Sequence, residues 1–262
     1  MAETVFEEEF NTFNPDLWEV KGDHENFNYT VSDSWIHLMF QPLLTQPGRV
    51  YRWASVSSRA PFDLTNRVVE LRFDLLPKKL TYELPMFGYY IGVMLANKKD
   101  IVGHPMLTPD VDLQAVAYLL QMFCQTPQYK FGFVIDRGTS TSYTGGIFVS
   151  FPPSTYQVRV GLTKVITYEE GIEDLTLPLP FDPTRTYIHL LVLYTEVRLD
   201  GHVAAPSRGS FDFLRILTSP TPIEYPKPET VVMSQVSSVL PVIMAVMLIT
   251  MLMSMLRGVM RG

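Results

Sequence analysis

The chain has 262 residues, a net charge of −6, and 18% charged and 12% aromatic side chains. That balance excludes a disordered polypeptide, which lacks the apolar residues for a core. No basic run gathers before the C-terminus, which excludes a nucleic-acid-binding surface. The single cysteine, Cys124, rules out an intrachain disulfide or a cysteine-built metal site and reads as a small buried hydrophobe.

The first ten residues, MAETVFEEEF, lack the positive-then-apolar order of a secretory leader. Glu7, Glu8 and Glu9 read as charge on a strand edge, where it blocks edge-to-edge association. From there to residue 217 the dominant signal is period-two alternation. WIHLMF at 35–40 is the first clear strand, and Tyr51 and Trp53 share another. VVELRFDL at 68–75 places Val69, Leu71, Phe73 and Leu75 on one face, and Glu70, Arg72 and Asp74 on a solvated face with cross-strand ion pairs. YYIGVML at 89–95 follows. At 109–123, PDVDLQAVAYLLQMF admits two readings: a helix begun by Pro109 and Asp110, or a buried strand. KFGFVID at 130–136, GIFVSF at 146–151, YQVRVGL at 156–162, YIHLLVLYTEVRLDG at 187–201 and FDFLRIL at 211–217 complete the set. Short strands separated by turns such as QPGR, NKKD, DRGTS and LPLPFDP predict an all-β antiparallel sandwich over 1–217.

The end of the chain changes character. TSPTPIEYPKPET carries prolines at 220, 222, 226 and 228, which favour an extended spacer over 218–230. Thr230 to Leu256 contains no Asp, Glu, Lys, Arg or His. At about 1.5 Å per residue a helix there would reach roughly 40 Å, more than the ~30 Å bilayer core. The expected organisation is therefore a β domain, a proline-rich stalk, and one transmembrane helix with a short basic tail over 231–262. Arg257 and Arg261 put a thin positive excess beyond the helix, which places the β domain on the outer surface of a cell or virion. Ser234 with Ser238, and Ser254 with Gly258, are spaced for close helix approach, so self-association in the membrane is expected.

The opening FEEEFNTFNPDLWEVKGDHENFNYTVSDSWIHLMF resembles the first strands of concanavalin A-like lectin and glucanase domains. The matching residues are Phe6, Phe10, Leu17, Trp18, Val31, Ser32, Asp33, Ile36 and Leu38. VSSRAPFDLTNRVVELRFDLL and the late LLVLYTEVRLDGHV with FDFLRIL are similar to the same superfamily. The resemblance spans about 210 residues and implies a jelly roll. Hydrolytic members carry an E-x-D-x-E strand, whose alternate residues converge on one glycosidic bond. No such triplet occurs in this sequence; Glu70 and Asp74 lie roughly 13 Å apart along a strand, too far for a retaining pair.

Other candidate sites rest on residue type. Tyr51, Trp53, Tyr89, Tyr90 and Tyr143 could form a carbohydrate-stacking platform. Glu169, Glu170, Glu173 and Asp174 concentrate around Gly171 and could hold a structural calcium, although the spacing fits an exposed acidic turn better. No other cofactor is implied. The histidines at 24, 37, 104, 189 and 202 show no metal-ligand spacing, and Asn28-Tyr29-Thr30 is a glycosylation sequon. These features together favour a non-enzymatic surface protein, structural or adhesive, whose partners are a lipid bilayer, other surface or virion proteins, and glycans. A membrane-tethered lectin, and a glycoside hydrolase with a non-standard carboxylate pair, are the alternatives.

Overall fold

Alternating side chains can satisfy two environments only if a second layer covers the apolar face. The computed structural model shows that layering and describes residues 2–22, 27–75, 87–123, 126–145, 155–198 and 207–218. The chain divides after Ile223 into two units. The second, with the stalk beyond Thr218, the expected transmembrane helix and Ser234, Ser238, Ser254 and Gly258, lies outside the described residues. So do Cys124 and the GIFVSF segment. Among the described residues no helix is long and apolar enough to cross a membrane.

Among the described residues fifteen strands form two antiparallel sheets. One sheet contains β1 (Thr4–Glu8), β3 (Phe27–Ser32), β4 (Trp35–Phe40), β6 (Arg67–Leu75), β11 (Thr155–Val160), β12 (Lys164–Glu169), β13 (Ile172–Pro178) and β15 (Ser207–Leu217). Its order is β13-β12-β11-β6-β15-β4-β3, with β1 also paired to β15. The other contains β2 (Trp18–Gly22), β5 (Gly48–Ser58), β7 (Phe87–Ala96), β8 (Gln114–Phe123), β9 (Thr126–Asp136), β10 (Thr139–Gly145) and β14 (Tyr187–Arg198), in the order β10-β9-β8-β7-β14-β5-β2. This is an all-β, two-sheet jelly-roll sandwich.

The main core lies between the sheets. Ile36, Leu38, Val69, Leu71, Phe73, Val158, Leu214 and Ile216 from the first sheet meet Val56, Ile91, Val93, Val116, Tyr118, Ile188, Leu190 and Val192 from the second. Full burial of such side chains stabilises by about 1.5–3 kcal/mol each before chain entropy is counted. The sheets come close at Gly132, where an added Cβ would press on Leu175 and Leu177 at 3.0 Å. Phe6, Phe10 and Trp18, from the opening motif, pack together at one end of the sandwich with ring centroids 6.0–6.3 Å apart about Trp18.

A second apolar cluster covers the opposite, outer face of the seven-stranded sheet. It joins Trp53, Met94, Ala115, Ala117, Leu119, Phe133, Leu191 and Leu193 to Ile101 and Leu113. The central strands are therefore buried on both sides, and their sequences lose strict alternation for that reason. The ambiguity at 109–123 has the same origin. Pro109 and Asp110 begin no helix: Asp110 Oδ1 accepts from the Asp112 amide at 3.0 Å, Leu113 N–H donates to the Asp110 carbonyl at 3.0 Å, and β8 starts at Gln114.

The Glu70–Arg72 face is a partial correction. Arg72 does pair with Asp212 on β15 at 3.2 Å. Glu70, however, is buried, because Gln157 Nε2 donates to it at 2.8 Å and Arg215 covers it at 3.7 Å.

Candidate functional site on the outer face of the seven-stranded sheet

Register decides which side chains share this face. Trp53 on β5 pairs with Leu193 on β14, and Leu193 pairs with Tyr90 on β7. Tyr90 then faces Gln121 on β8, and Leu119, two residues back on the same face, faces Phe131 on β9. Three of these side chains, Tyr90, Gln121 and Phe131, are half-buried. The Tyr90 and Phe131 rings sit 5.6 Å apart, tilted at 54°. Burial pushes the Tyr90 phenol up from its ordinary value, so it stays a neutral donor near pH 7.

The rest of the face is covered. Residues 97–113, the connection from β7 to β8, form a strap across β14, β5 and β2. The Lys98 carbonyl accepts from His189 Nε2 on β14 at 3.1 Å, and His189 Nδ1 meets Ser57 Oγ on β5 at 2.7 Å. Desolvation holds His189 down at about 4, so the neutral ring donates at one nitrogen and accepts at the other. Asp100 pairs with Lys21 on β2, and Lys99 pairs with Glu19 at 3.3 Å. At the far end His104 lies edge-on to Tyr51, with centroids 6.1 Å apart. Within the strap Lys98 joins Asp110 at 3.1 Å and Asp112 at 3.5 Å. Gly103 takes the left-handed turn, with φ at 77°, and a Cβ there would run into the Thr108 carbonyl.

The five aromatic residues expected to stack sugars are thus divided. Tyr90 stands on the open part of the face. Trp53 shares the face but lies under the strap, 5% exposed. Tyr51 is exposed at the strap's edge. Tyr143 turns the other way and packs against the inter-sheet core. Tyr89 lies on β7, and its side chain is outside the described residues. Phe131 was not among the five, since KFGFVID reads as ordinary core alternation; only pairing across β8 brings it beside Tyr90.

The acidic turn also separates. Glu170 and Gly171 form the tip of the β12–β13 hairpin, with φ of 48° and 76°. The Glu170 carboxylate accepts from the Thr155 amide at 2.6 Å, and Glu173 is exposed beside Thr176. Glu169 and Asp174 point between the sheets instead and close on the Lys130 ammonium, at 2.7 Å for Asp174. The Tyr118 hydroxyl donates to Asp174 as well. A lysine thus occupies the position expected for calcium. Among the described residues no group of three or more His, Cys, Asp or Glu could hold a metal.

A hydrolytic pair needs two accessible carboxylates, one of them protonated. Burial raises Asp174, outweighing Lys130 and Tyr118, which suits an acid, but Asp174 and Glu169 are sealed behind the sheet. Glu19 and Asp100 share Lys21 on the accessible side. Burial pushes Glu19 up, yet Lys21 and Lys99 together hold it below the ordinary range, and the Lys21 hydrogen bond lowers Asp100. On β8 the outward positions are Ala115, Ala117, Leu119 and Gln121, which carry no carboxylate.

No family model and no curated protein matches the chain. Solved structures do. The chain is similar to an endo-acting O-glycanase of the human gut microbiota, with 15% identity, 83% of this chain and 100% of that chain covered, and a TM-score of 0.54. It is similar to the catalytic domain of an endo-1,3-β-glucanase (laminarinase) from Thermotoga petrophila RKU-1, with 13% identity, 83% and 98% covered, and a TM-score of 0.54. A β-1,3-1,4-glucanase (lichenase) derived from a mouse hindgut metagenome gives 13% identity, 82% and 98% covered, and a TM-score of 0.53. The likeness establishes the concanavalin A-like jelly-roll fold. It also corrects the expectation of a non-enzymatic structural or adhesive protein, because these similar structures are glycosidases.

Proposed function

We propose that the chain is a glycoside hydrolase of the jelly-roll type that acts on a polysaccharide. The observation that supports this most is the extent of the fold match: 82–83% of this chain corresponds to 98–100% of three glycosidase structures. Tyr90 and Phe131 offer stacking surfaces for sugar rings, and Gln121 beside them offers an amide donor and acceptor for hydroxyls. β8 itself brings no carboxylate to this face: its outward side chains there are Ala115, Ala117, Leu119 and Gln121.

The test is a reducing-end assay of the full chain on laminarin, mixed-linkage β-glucan, κ-carrageenan and mucin O-glycans, from pH 4 to 8. New reducing ends are expected on one of them, with Tyr90→Ala and Phe131→Ala raising KM several-fold. Binding without product on every glycan overturns the reading. For the tail, we propose that residues 230–256 hold the domain at a bilayer, supported by their lack of charge. Release of the full chain from membranes by alkaline carbonate would refute the anchor.

A further inference from the structure

The strap limits where a glycan can lie, and its limits are asymmetric. Toward β14, β5 and β2 it rests on the sheet: Ile101 packs in the cluster with Trp53, Leu191 and Leu193, and Lys98, Lys99 and Asp100 are tied to His189, Glu19 and Lys21. Along the strands it closes a second side. Met94, Ala96, Ala115, Ala117, Phe133 and Ile135 are fully buried, although their strands have no other sheet above them. What stays half-open is the area around Tyr90, Gln121 and Phe131, with Ser142 and Thr144 of β10 exposed beyond it. Neighbouring strands are about 4.8 Å apart, so from β10 to β7 this shelf is roughly 15 Å wide, room for about three sugar rings.

A polysaccharide bound by an internal segment must leave the site at both ends. A chain lying straight across the strands meets the strap over β14 at one end, and a chain lying along the strands meets it over β8 and β9 at one end. We infer that the shelf around Tyr90, Gln121 and Phe131 takes the terminal sugars of a glycan chain, with the 97–113 strap as the wall that the chain end meets. This rests on the hydrolase reading of the same face. It differs from the internal action named for the similar glycanases, and the difference resides in the strap.

The strap is built to stay down as a wall rather than to swing. Its four ionic contacts lie at both ends and on the β2 side, and the Asn97 side chain adds bonds to the Asp112 carbonyl at 3.3 Å and the Gln114 amide at 2.9 Å. The Lys98 carbonyl on buried His189 adds the fifth anchor by hydrogen bonding. The strap's own apolar residues Ile101 and Leu113, packed on the sheet, would each be exposed by opening.

The experiment uses linear β-1,3-gluco-oligosaccharides of graded length, titrated calorimetrically against the full chain, with laminarin viscosity followed in parallel. End recognition predicts an affinity per chain that levels off beyond a few sugars, because each chain offers one end whatever its length. Reducing ends should also appear faster than viscosity falls. A variant with 99–110 replaced by a short Gly-Ser linker should bind more tightly as chains lengthen, in proportion to the internal registers available. Wild-type affinity per chain that climbs with length, or an early viscosity collapse, overturns the inference while leaving hydrolysis intact. Absence of both binding and cleavage across the glycan panel overturns the hydrolase reading and the inference with it. The wild-type measurements decide the matter even if the shortened variant fails to fold.

Discussion

At the scale of single residues, the decisive groups are those whose environment contradicts their chemistry. Lys130 is 1% exposed between two carboxylates, and removing its charge leaves Glu169 and Asp174 without the cation between them. Lys130→Met should therefore cost about 3–5 kcal/mol, and Asp174→Asn in the same chain should restore part of it, as chemical denaturation would show. Asp174 alone gives a pH signature. Its folded carboxyl is raised by burial, so the folded state holds the proton more tightly than the unfolded one. Its contribution is fully present below the ordinary aspartate value of about 4 and is lost as pH rises through the raised value. Stability of the wild type relative to Asp174→Asn should fall across that window; a flat difference would refute the assignment. Arg137 offers a gain. It precedes Gly138 at the β9–β10 tip with φ of 51° and 80°, a pair of left-handed positions that Asn-Gly fills best. Arg137→Asn should raise stability by about 0.5–1 kcal/mol in a thermal melt.

Among the elements, the strap is the one that responds to acid. His189 beneath it and His104 within it are both held down to about 4, in each case chiefly by burial. A depressed folded value means that their contribution is present above the ordinary histidine value of 6.5 and is lost as pH falls toward 4. Acidification through that window should therefore loosen the strap before the sheets. Hydrogen exchange, corrected for intrinsic rates, should show amides of 98–108 losing protection between pH 6.5 and 4.5 while β6 and β14 keep theirs. Uniform loss across the domain would show that the histidines act on global stability instead. His189→Asn should blunt the effect, because an amide keeps hydrogen bonding without gaining charge.

For the whole molecule, closure of the β domain occurs at its two ends. The Thr218 amide donates to the Glu3 carbonyl at 2.9 Å and the Glu3 amide to Thr218 Oγ1 at 3.0 Å, just beyond the β1–β15 ladder. A fragment ending at Thr218 should therefore fold alone, with a β-rich circular dichroism spectrum and a cooperative melt. Aggregation or a disordered spectrum would show that residues after 218 complete the core.

Much of this architecture was legible from residue order, because period-two alternation is a local property and survives without knowledge of the partner strand. WIHLMF matches β4 residue for residue, and the aromatic opening motif becomes the Phe6, Phe10 and Trp18 cluster. Strands buried on both faces, such as QAVAYLL in β8, could not be told from a helix, since they carry no alternation to read. Sites were less legible still. Whether Trp53 stacks a sugar or lies beneath a strap, and whether Asp174 meets solvent or Lys130, depends on residues distant in sequence. Alternation determined which side chains share a face; only the packing of 97–113 over one sheet, and of β13 against β9, decided which of them a ligand can reach.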